Sequence, residues 1–465
     1  MQIKLAKKEI IHFIGIGGIG MSGLALVMKR KGFKVQGSDI LSNKNIYRLK
    51  KEKIKIFIGQ ITENINNATI VVISSAIKKN NPELIAAQRK KLPIIPRGKM
   101  LAQIVSLTKN IVVAGSHGKT TTTSLIASIF QNTKLDPTII NGGVINSLKS
   151  SAKLGKSEWS ILEADESDGS FVEIPPTYSI ITNIDREHMD FYKSLDDLKE
   201  YFNQFISKIP SFGKLFICLD DKINKEIIKK IKNKNYYTYG KNVKSNFFVN
   251  KISYNKKYTK YNLTIKLPNK QIFEIKKIKI PLLGLHNVLN SVAAFAVSII
   301  VGVSIKNIKK GLLNFKGVER RFNKILKYND VELYDDYAHH PTEIEVVLNS
   351  LKNIYKDYEK ICIFQPHRYS RLKDLRKKFS FAFKNADKVI LCPLYLAGEK
   401  IKFKFNYYKF AREIIKNSKV NLIMVEDKID LFKFLRKNMY GKKIIIGMGA
   451  GTISNWIREF SKSII

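Results

Sequence analysis

Cysteine and acid are the two things this chain has little of. Three cysteines, Cys218, Cys362 and Cys392, occur in 465 residues. They are widely spaced, odd in number and part of no metal-binding motif. That excludes a disulfide framework and a thiolate zinc site and points to a reducing compartment. Acidic residues number 39 against 82 Lys+Arg, a formal charge of +43. The lysines are spread over the whole length and form no stripe. The excess therefore reads as compositional bias, and no nucleic-acid partner is expected. Long apolar runs are missing too. The longest, 291–304, falls short of the ~20 residues that cross a bilayer and reads as a buried helix. The apolar run at 10–16 is broken by Gly15, Gly17, Gly18 and Gly20. It lacks a small-residue cleavage site, so it reads as strand and turn, not as a signal peptide. The expectation is a cytoplasmic chain with no membrane insertion, no tandem repeat and no long linker.

What is present is an alternation of short apolar strands and helical patterns, which predicts an α/β chain with parallel sheets. Three domains are expected: a Rossmann-like N-terminal domain over 1–107, a central P-loop ATPase domain over 108–320, and a Rossmann-like C-terminal domain over 321–465. Strands are predicted at 10–14, 34–37 and 68–74 in the first domain and at 111–114, 159–163 and 178–183 in the second. The third has strands at 331–334, 361–365, 388–392 and 444–447. Residues 221–280 read as a β-rich excursion of the central domain, with little chemistry visible in them.

Two glycine-rich loops of different kinds carry the functional signal. In the first, Gly15, Gly17, Gly18 and Gly20 run into Met21 and Ser22 between a strand and a helix. Such a turn brings backbone N–H groups and a helix N-terminus to a diphosphate. Asp39 ends the next strand, where an acid can take a ribose hydroxyl. In the second loop, Gly115-Ser116-His117-Gly118-Lys119-Thr120-Thr121 follows a buried strand directly. Its N–H groups suit phosphates, Lys119 suits the β/γ oxygens, and the Thr120 hydroxyl suits Mg²⁺. Val113 stands where the usual first glycine would fall, so the loop is short.

Further polar clusters sit at predicted strand ends. Glu163-Ala164-Asp165-Glu166-Ser167-Asp168 packs four acids into six residues, with Glu163 the favoured metal ligand. His188 follows the next strand, a ligand position in an α/β sheet. Asn287 and Asn290 lie one helical turn apart and suit a purine edge, although helix capping accounts equally well for one of them. Arg320 and Arg321 are placed for phosphate. Asp335-Asp336 and His339-His340 end a strand of the third domain, and Gln365-Pro366-His367-Arg368 ends the next. Gly447–Thr452 reads first as a structural turn and second as a phosphate site. An NAD-dependent oxidoreductase built on Gly15–Gly20 leaves Lys119–Thr123 unexplained. A nucleic-acid-dependent ATPase leaves the first loop and Asp39 unexplained.

In this order, from residue 12 to about 458, these motifs resemble those of the Mur ligases. The resemblance implies three domains, ATP and Mg²⁺ as cofactors, and ligation of L-alanine to the lactyl carboxylate of UDP-N-acetylmuramic acid for cell-wall peptidoglycan. It places Gly15–Gly23, with Ser74, Ser75 and Arg97, at the UDP substrate. It places Lys119, Thr120, Glu163 and His188 at ATP and magnesium, and Asn287 and Asn290 at adenine. Arg320, Arg321, Asp336 and His340 complete the site as the last domain closes, with Lys119, His188, Arg321 and His340 as the catalytic set. A rival reading, a related ligase that attaches a recycled tripeptide to the same sugar nucleotide, fits Ser167-Asp168-Gly169-Ser170 less well. Two small departures from the family pattern stand out: Gly98 in place of the usual alanine, and Asp185-Arg186-Glu187 before His188.

Overall fold

A computed structural model describes residues 9–131, 133–231, 235–269, 271–399 and 405–464. They fall into two compact units. The first takes the residues up to Ile252 together with Lys260–Pro281 and Leu289–Lys316, and the second takes Ser253–Thr259, Leu282–Val288 and the residues from Gly317 on.

The first unit holds two sheets. Five strands lie side by side in the order Lys55–Ile58, Lys34–Asp39, Ile10–Ile14, Ile70–Ile73 and Ile94–Pro96, all parallel. Ile10–Ile14 is central, and its residues from Ile11 on are buried. A parallel strand covered on both faces reads as an uninterrupted apolar run, which is why the sequence locates it so well. The helix Ile19–Arg30 follows, buried from Met21 to Met28. An ordinary surface helix buries one stripe. This one is apolar nearly all round because it packs on its own sheet and also against the strands Thr138–Ile145 and Ser150–Lys153.

The second sheet has ten strands: Ile272–Ile280, Thr259–Lys266, Phe247–Tyr254, Tyr236–Gly240, Lys214–Cys218, Tyr178–Ile181, Lys109–Ala114, Trp159–Glu163, Thr138–Ile145 and Ser150–Lys153. Lys109–Ala114 is parallel to its neighbours on both sides, and the helix Lys119–Phe130 rises from it, buried from Thr120 onward. The last four strands of 221–280 extend this sheet as the expected β-rich excursion. The apolar run at 291–304 lies mostly in the helix Leu285–Ile300, and Val292–Val297 are fully buried.

The second unit holds a six-stranded sheet in the order Asn323–Tyr328, Val331–Asp336, Lys443–Met448, Glu359–Phe364, Lys388–Leu391 and Asn421–Met424. It is parallel except for its first strand. Cys218, Cys362 and Cys392 are all free and buried. Burial pushes the thiols of Cys218 and Cys392 up to about 12, far from a reactive thiolate. Among the described residues no helix is long and apolar enough to cross a membrane.

Candidate functional site

The first glycine loop is tied down by the next strand. Gly15 and Ile16 both donate their N–H to the carbonyl of Ser38, at 2.9 Å each. Gly17 donates to Asp39 Oδ2 at 2.8 Å, and its carbonyl accepts from the Asn43 and Asn45 side chains. Gly18 N–H turns onto the Gly15 carbonyl. The four amides of Gly15–Gly18 therefore serve the loop's own shape. The donors aimed outward are those of the first turn of helix Ile19–Arg30, whose N-cap Gly18 offers no side-chain acceptor. Asp39, expected at a ribose, spends one oxygen on the loop. Ser22 turns its hydroxyl to the Ile19 carbonyl, and Met21 is buried. Ser74 and Ser75 follow the strand Ile70–Ile73, and Ser75 is exposed. Arg97 lies against Gly20, where an added Cβ would stand 3.1 Å from its Nη1. From there it reaches Asp165 Oδ2 at 3.1 Å, so a side chain packed on Gly20 also pairs with the acidic run of the central sheet. Gly98 is a glycine for a local reason: a Cβ there would overlap the Ser170 side chain.

The second loop is bolted to the end of strand Tyr178–Ile181. The carbonyl of Asn183 accepts from Ser116 N–H, and Asn183 Oδ1 accepts from His117 N–H. Thr182 Oγ1 donates to the His117 carbonyl at 2.6 Å. His117 Nε2 lies 3.3 Å from Asp185. Gly118 has φ of 82°, and a Cβ there would come within 2.5 Å of Asn290 Oδ1. Only glycine fits both demands, and Asn290 is thereby placed at the loop. Lys119 Nζ curls back to the carbonyls of Gly115 and Ser116, at 2.7 and 3.0 Å. It also meets the Glu166 carboxylate at 2.7 Å. Burial would pull the Lys119 ammonium down, but Glu166, Glu163 and Asp165 outweigh it and hold it above the ordinary lysine range. Burial pushes Asp165 up, and Arg97 and Lys119 more than reverse this, leaving it at about 2. Glu166 is raised by its burial, less the pull of Lys119 and His188.

The acids and hydroxyls form two donor sets. Thr120 Oγ1 donates to Glu163 Oε1 at 2.9 Å, and Gly142 N–H donates to Glu163 Oε2 at 2.6 Å. Separately, Glu166, Glu187 and His188 present ligand atoms all within 4.8 Å of one another. His188 Nε2 is 3.7 Å from Glu166, and its backbone is held at a φ of 57°, a conformation that costs energy in a non-glycine residue. The buried Tyr192 hydroxyl donates to the Glu166 carbonyl. Both sets are rich in hard oxygen donors, the chemistry that suits Mg²⁺. The sequence favours Glu163 and His188, while Glu166 and Glu187 join His188 only in the fold. Both stand beside the expected ligands, Glu166 in the acidic run that starts at Glu163 and Glu187 next to His188.

In the second unit, Asp336 accepts N–H bonds from Phe322 at 2.7 Å and Ala338 at 2.8 Å. Burial pushes it up to about 6 despite Arg321. It thus holds the Arg320-Arg321-Phe322 segment, in which Arg320 and Phe322 have φ of 60° and 51°. Arg320 donates to the Gly449 carbonyl at 2.6 Å, and both guanidinium groups stack on Tyr337. Arg321 also lies 3.7 Å from Glu343. His340 is fully buried and caps the helix Pro341–Ile354, its Nδ1 accepting from Thr342 N–H. Asn287 donates to the Leu283 carbonyl at 2.8 Å, so of the two amides it is the one with a helix-end role. The Gly447–Thr452 turn is pinned by Gln365, which accepts from Ile453 N–H, in keeping with a structural turn.

Models of three Mur ligase domains match this chain in order. They are the Mur ligase family catalytic domain over residues 10–109, the Mur ligase middle domain over 113–298 and the Mur ligase glutamate ligase domain over 320–451. The chain is also 67% identical, over 464 residues and the full length of both chains, to the UDP-N-acetylmuramate–L-alanine ligase of Pelagibacter ubique. The chain belongs to the Mur ligase family. This Mur ligase is 45% identical to the enzyme of the same name from Rickettsia bellii, covering 97% of this chain and 95% of that one. Its structure matches the UDP-N-acetylmuramate-alanine ligase MurC of Thermotoga maritima with a TM-score of 0.81, 26% identity and 98% coverage of each chain. A murein peptide ligase from Psychrobacter arcticus shares the fold, with a TM-score of 0.72 at 22% identity and 98% coverage of each chain. The Mur ligase thus has three α/β domains with Rossmann-like parallel sheets at both ends.

One pH effect follows from its C-terminal domain. His367 stacks on Tyr395 with ring centroids 5.5 Å apart, and its Nδ1 lies 3.3 Å from Arg371 Nη1. Burial, then Arg371 and Arg368, push it down to about 4. Between about 4 and 6.5 the unfolded chain binds a proton here that the folded chain refuses. The stability from this group is complete above about 6.5 and is lost as pH falls toward 4. The thermal midpoint of His367→Asn is expected to fall less steeply with acid across that window than that of the parent. Parallel curves would refute this.

Proposed function

We propose that this Mur ligase joins L-alanine to UDP-N-acetylmuramic acid at the expense of ATP, in peptidoglycan precursor synthesis in the cytoplasm. The observation that carries the reading is the Arg97–Asp165 ion pair. It sets a helix N-terminus suited to a diphosphate beside a P-loop whose lysine is ringed by acids. Domain boundaries near residues 107 and 320 are consistent with this division.

A carboxylate is a poor electrophile toward an amine in water. Attack of the lactyl carboxylate oxygen on the γ-phosphorus of ATP breaks the β–γ bond, releases ADP and gives an acyl phosphate. The amine nitrogen of L-alanine then attacks the acyl carbon. The tetrahedral centre collapses with loss of inorganic phosphate and a proton, leaving an amide. Phosphoryl transfer of this kind depends on alignment and charge neutralisation. Gly115, Ser116, His117, Gly118 and Thr121 frame the phosphates, and Lys119 neutralises the transferred group. Asn290 stands at the loop for the nucleotide. Thr120 and Glu163 would hold one Mg²⁺, and His188 with Glu166 and Glu187 a second. When bound, such ions offset the charge on the phosphoryl oxygens. We assign Asn287, Arg320, Arg321, Asp336 and His340 to the same reaction. Gly15, Gly17, Gly18, Gly20, Met21, Ser22, Asp39, Ser74, Ser75 and Arg97 are assigned to the UDP substrate.

The test is phosphate release from ATP and Mg²⁺ with UDP-N-acetylmuramic acid and single amino acids. Release that needs both the sugar nucleotide and L-alanine is expected. Release with tripeptide alone would move the chain to the recycling ligases, and silence with both would overturn the reading.

A further inference from the structure

A fully buried carboxylate lies beneath the first glycine loop, and nothing in the reaction above uses it. Glu83 sits in the first turn of the helix Pro82–Arg89 and is 0% exposed. A carboxylate so placed is destabilising unless it is fully hydrogen-bonded. Here it is. Ser38 Oγ donates to Oε2 at 2.5 Å, and Asn64 Nδ2 donates to Oε1 at 2.6 Å. The third partner is His12 Nε2, 3.3 Å from Oε2, and His12 is likewise 0% exposed. The tautomer follows from the neighbours. Gln36 Nε2 donates to the Asn64 carbonyl, so that end of the amide is its NH₂, and it lies 3.2 Å from His12 Nδ1. Nδ1 must accept, so Nε2 carries the proton and donates to Glu83. Three side chains distant in sequence converge on one carboxylate.

What this network holds is Ser38. The hydroxyl of Ser38 is fixed by Glu83, and its carbonyl receives both Gly15 and Ile16 N–H. The next residue, Asp39, receives Gly17 N–H. The loop's shape, and with it the aim of the first-turn amides of the following helix, is therefore set by a strand end that Glu83 anchors from below. We infer that Glu83 is a positioning residue for the UDP-substrate loop, acting through Ser38, with His12 and Asn64 completing its hydrogen bonds. This rests on the proposal that the loop takes the UDP substrate.

The variant Glu83→Gln keeps the shape but brings an NH₂ among three donors, and Ser38→Ala removes one hydroxyl. The full-length chain carrying either change is expected to raise KM for UDP-N-acetylmuramic acid roughly tenfold, the scale of one charge-assisted hydrogen bond. The value of kcat at saturation should stay within about twofold, and KM for ATP should be unchanged. In the ligand-free protein, amide hydrogen exchange at Gly15–Gly18 should speed up while that of the Lys119–Phe130 helix does not. A merely structural role would lower the thermal midpoint without this local change. If Glu83→Gln fails to fold, Ser38→Ala decides alone. Unchanged loop exchange in a folded variant overturns the role of Glu83. Failure of the parent chain to bind UDP-N-acetylmuramic acid overturns the functional reading instead, and the exchange result still judges the loop.

Discussion

Lys119→Ala is expected to lower ATP-dependent ligation by on the order of a thousandfold, the scale of losing one preorganised cation or donor at a reacting phosphoryl or acyl group. Affinity for UDP-N-acetylmuramic acid should change little. The reason is geometric. Lys119 is bonded at once to the loop carbonyls of Gly115 and Ser116 and to Glu166, while the first glycine loop is built on Ser38 and Asp39. Lys119 is held charged by the acids around it, so a neutral side chain leaves Glu166 as a buried carboxylate without its main cation. Part of the loss will be in loop order. Kinetics and direct binding of the sugar nucleotide, measured on the same preparation, separate the two sites. A variant that retains ligation would remove Lys119 from the catalytic set, and one that loses sugar-nucleotide binding in step would show that the two loops are not independent.

Glu163→Gln is expected to cut turnover by roughly a hundredfold at a fixed Mg²⁺ concentration, and to shift the Mg²⁺ dependence to higher concentration by a similar factor. Glu163 accepts Thr120 Oγ1 on one oxygen and Gly142 N–H on the other. Glutamine can keep its oxygen on Gly142 and turn its amide to the Thr120 hydroxyl, so the backbone is preserved while the charge is lost. KM for UDP-N-acetylmuramic acid should not move. An unchanged Mg²⁺ titration would take Glu163 out of the metal set and leave the cluster at Glu166, Glu187 and His188 as the remaining candidate.

Most strands were legible in the sequence. Ile10–Ile14 and Trp159–Glu163 fall on the expected residues, and Tyr178–Ile181 and Lys388–Leu391 end slightly earlier than expected. Each is a short apolar run whose strand form comes from local composition and burial on both faces. The partnering of side chains was much less legible. Asp39 ends a strand, which suggests a ribose ligand; that one of its oxygens takes Gly17 N–H shows only in the fold. His340 carries a catalytic expectation; that its Nδ1 also caps a helix shows only in the fold. Thr120, Glu163 and His188 are all expected near magnesium; that the first two pair with each other while the third lies with Glu166 and Glu187 shows only in the fold.

The sequence by itself determined the class of fold, the two phosphate-suited loops and the reservoir of acids beside the second, because strand burial, helix starts and turn glycines are encoded within a few adjacent residues. Only the tertiary structure decided which acid meets which partner. Lys119 and Glu166 are 47 residues apart, Arg97 and Asp165 are 68, and His12 and Glu83 are 71. Contacts over such spans depend on how helices pack across a sheet, and no local pattern of residues carries that information.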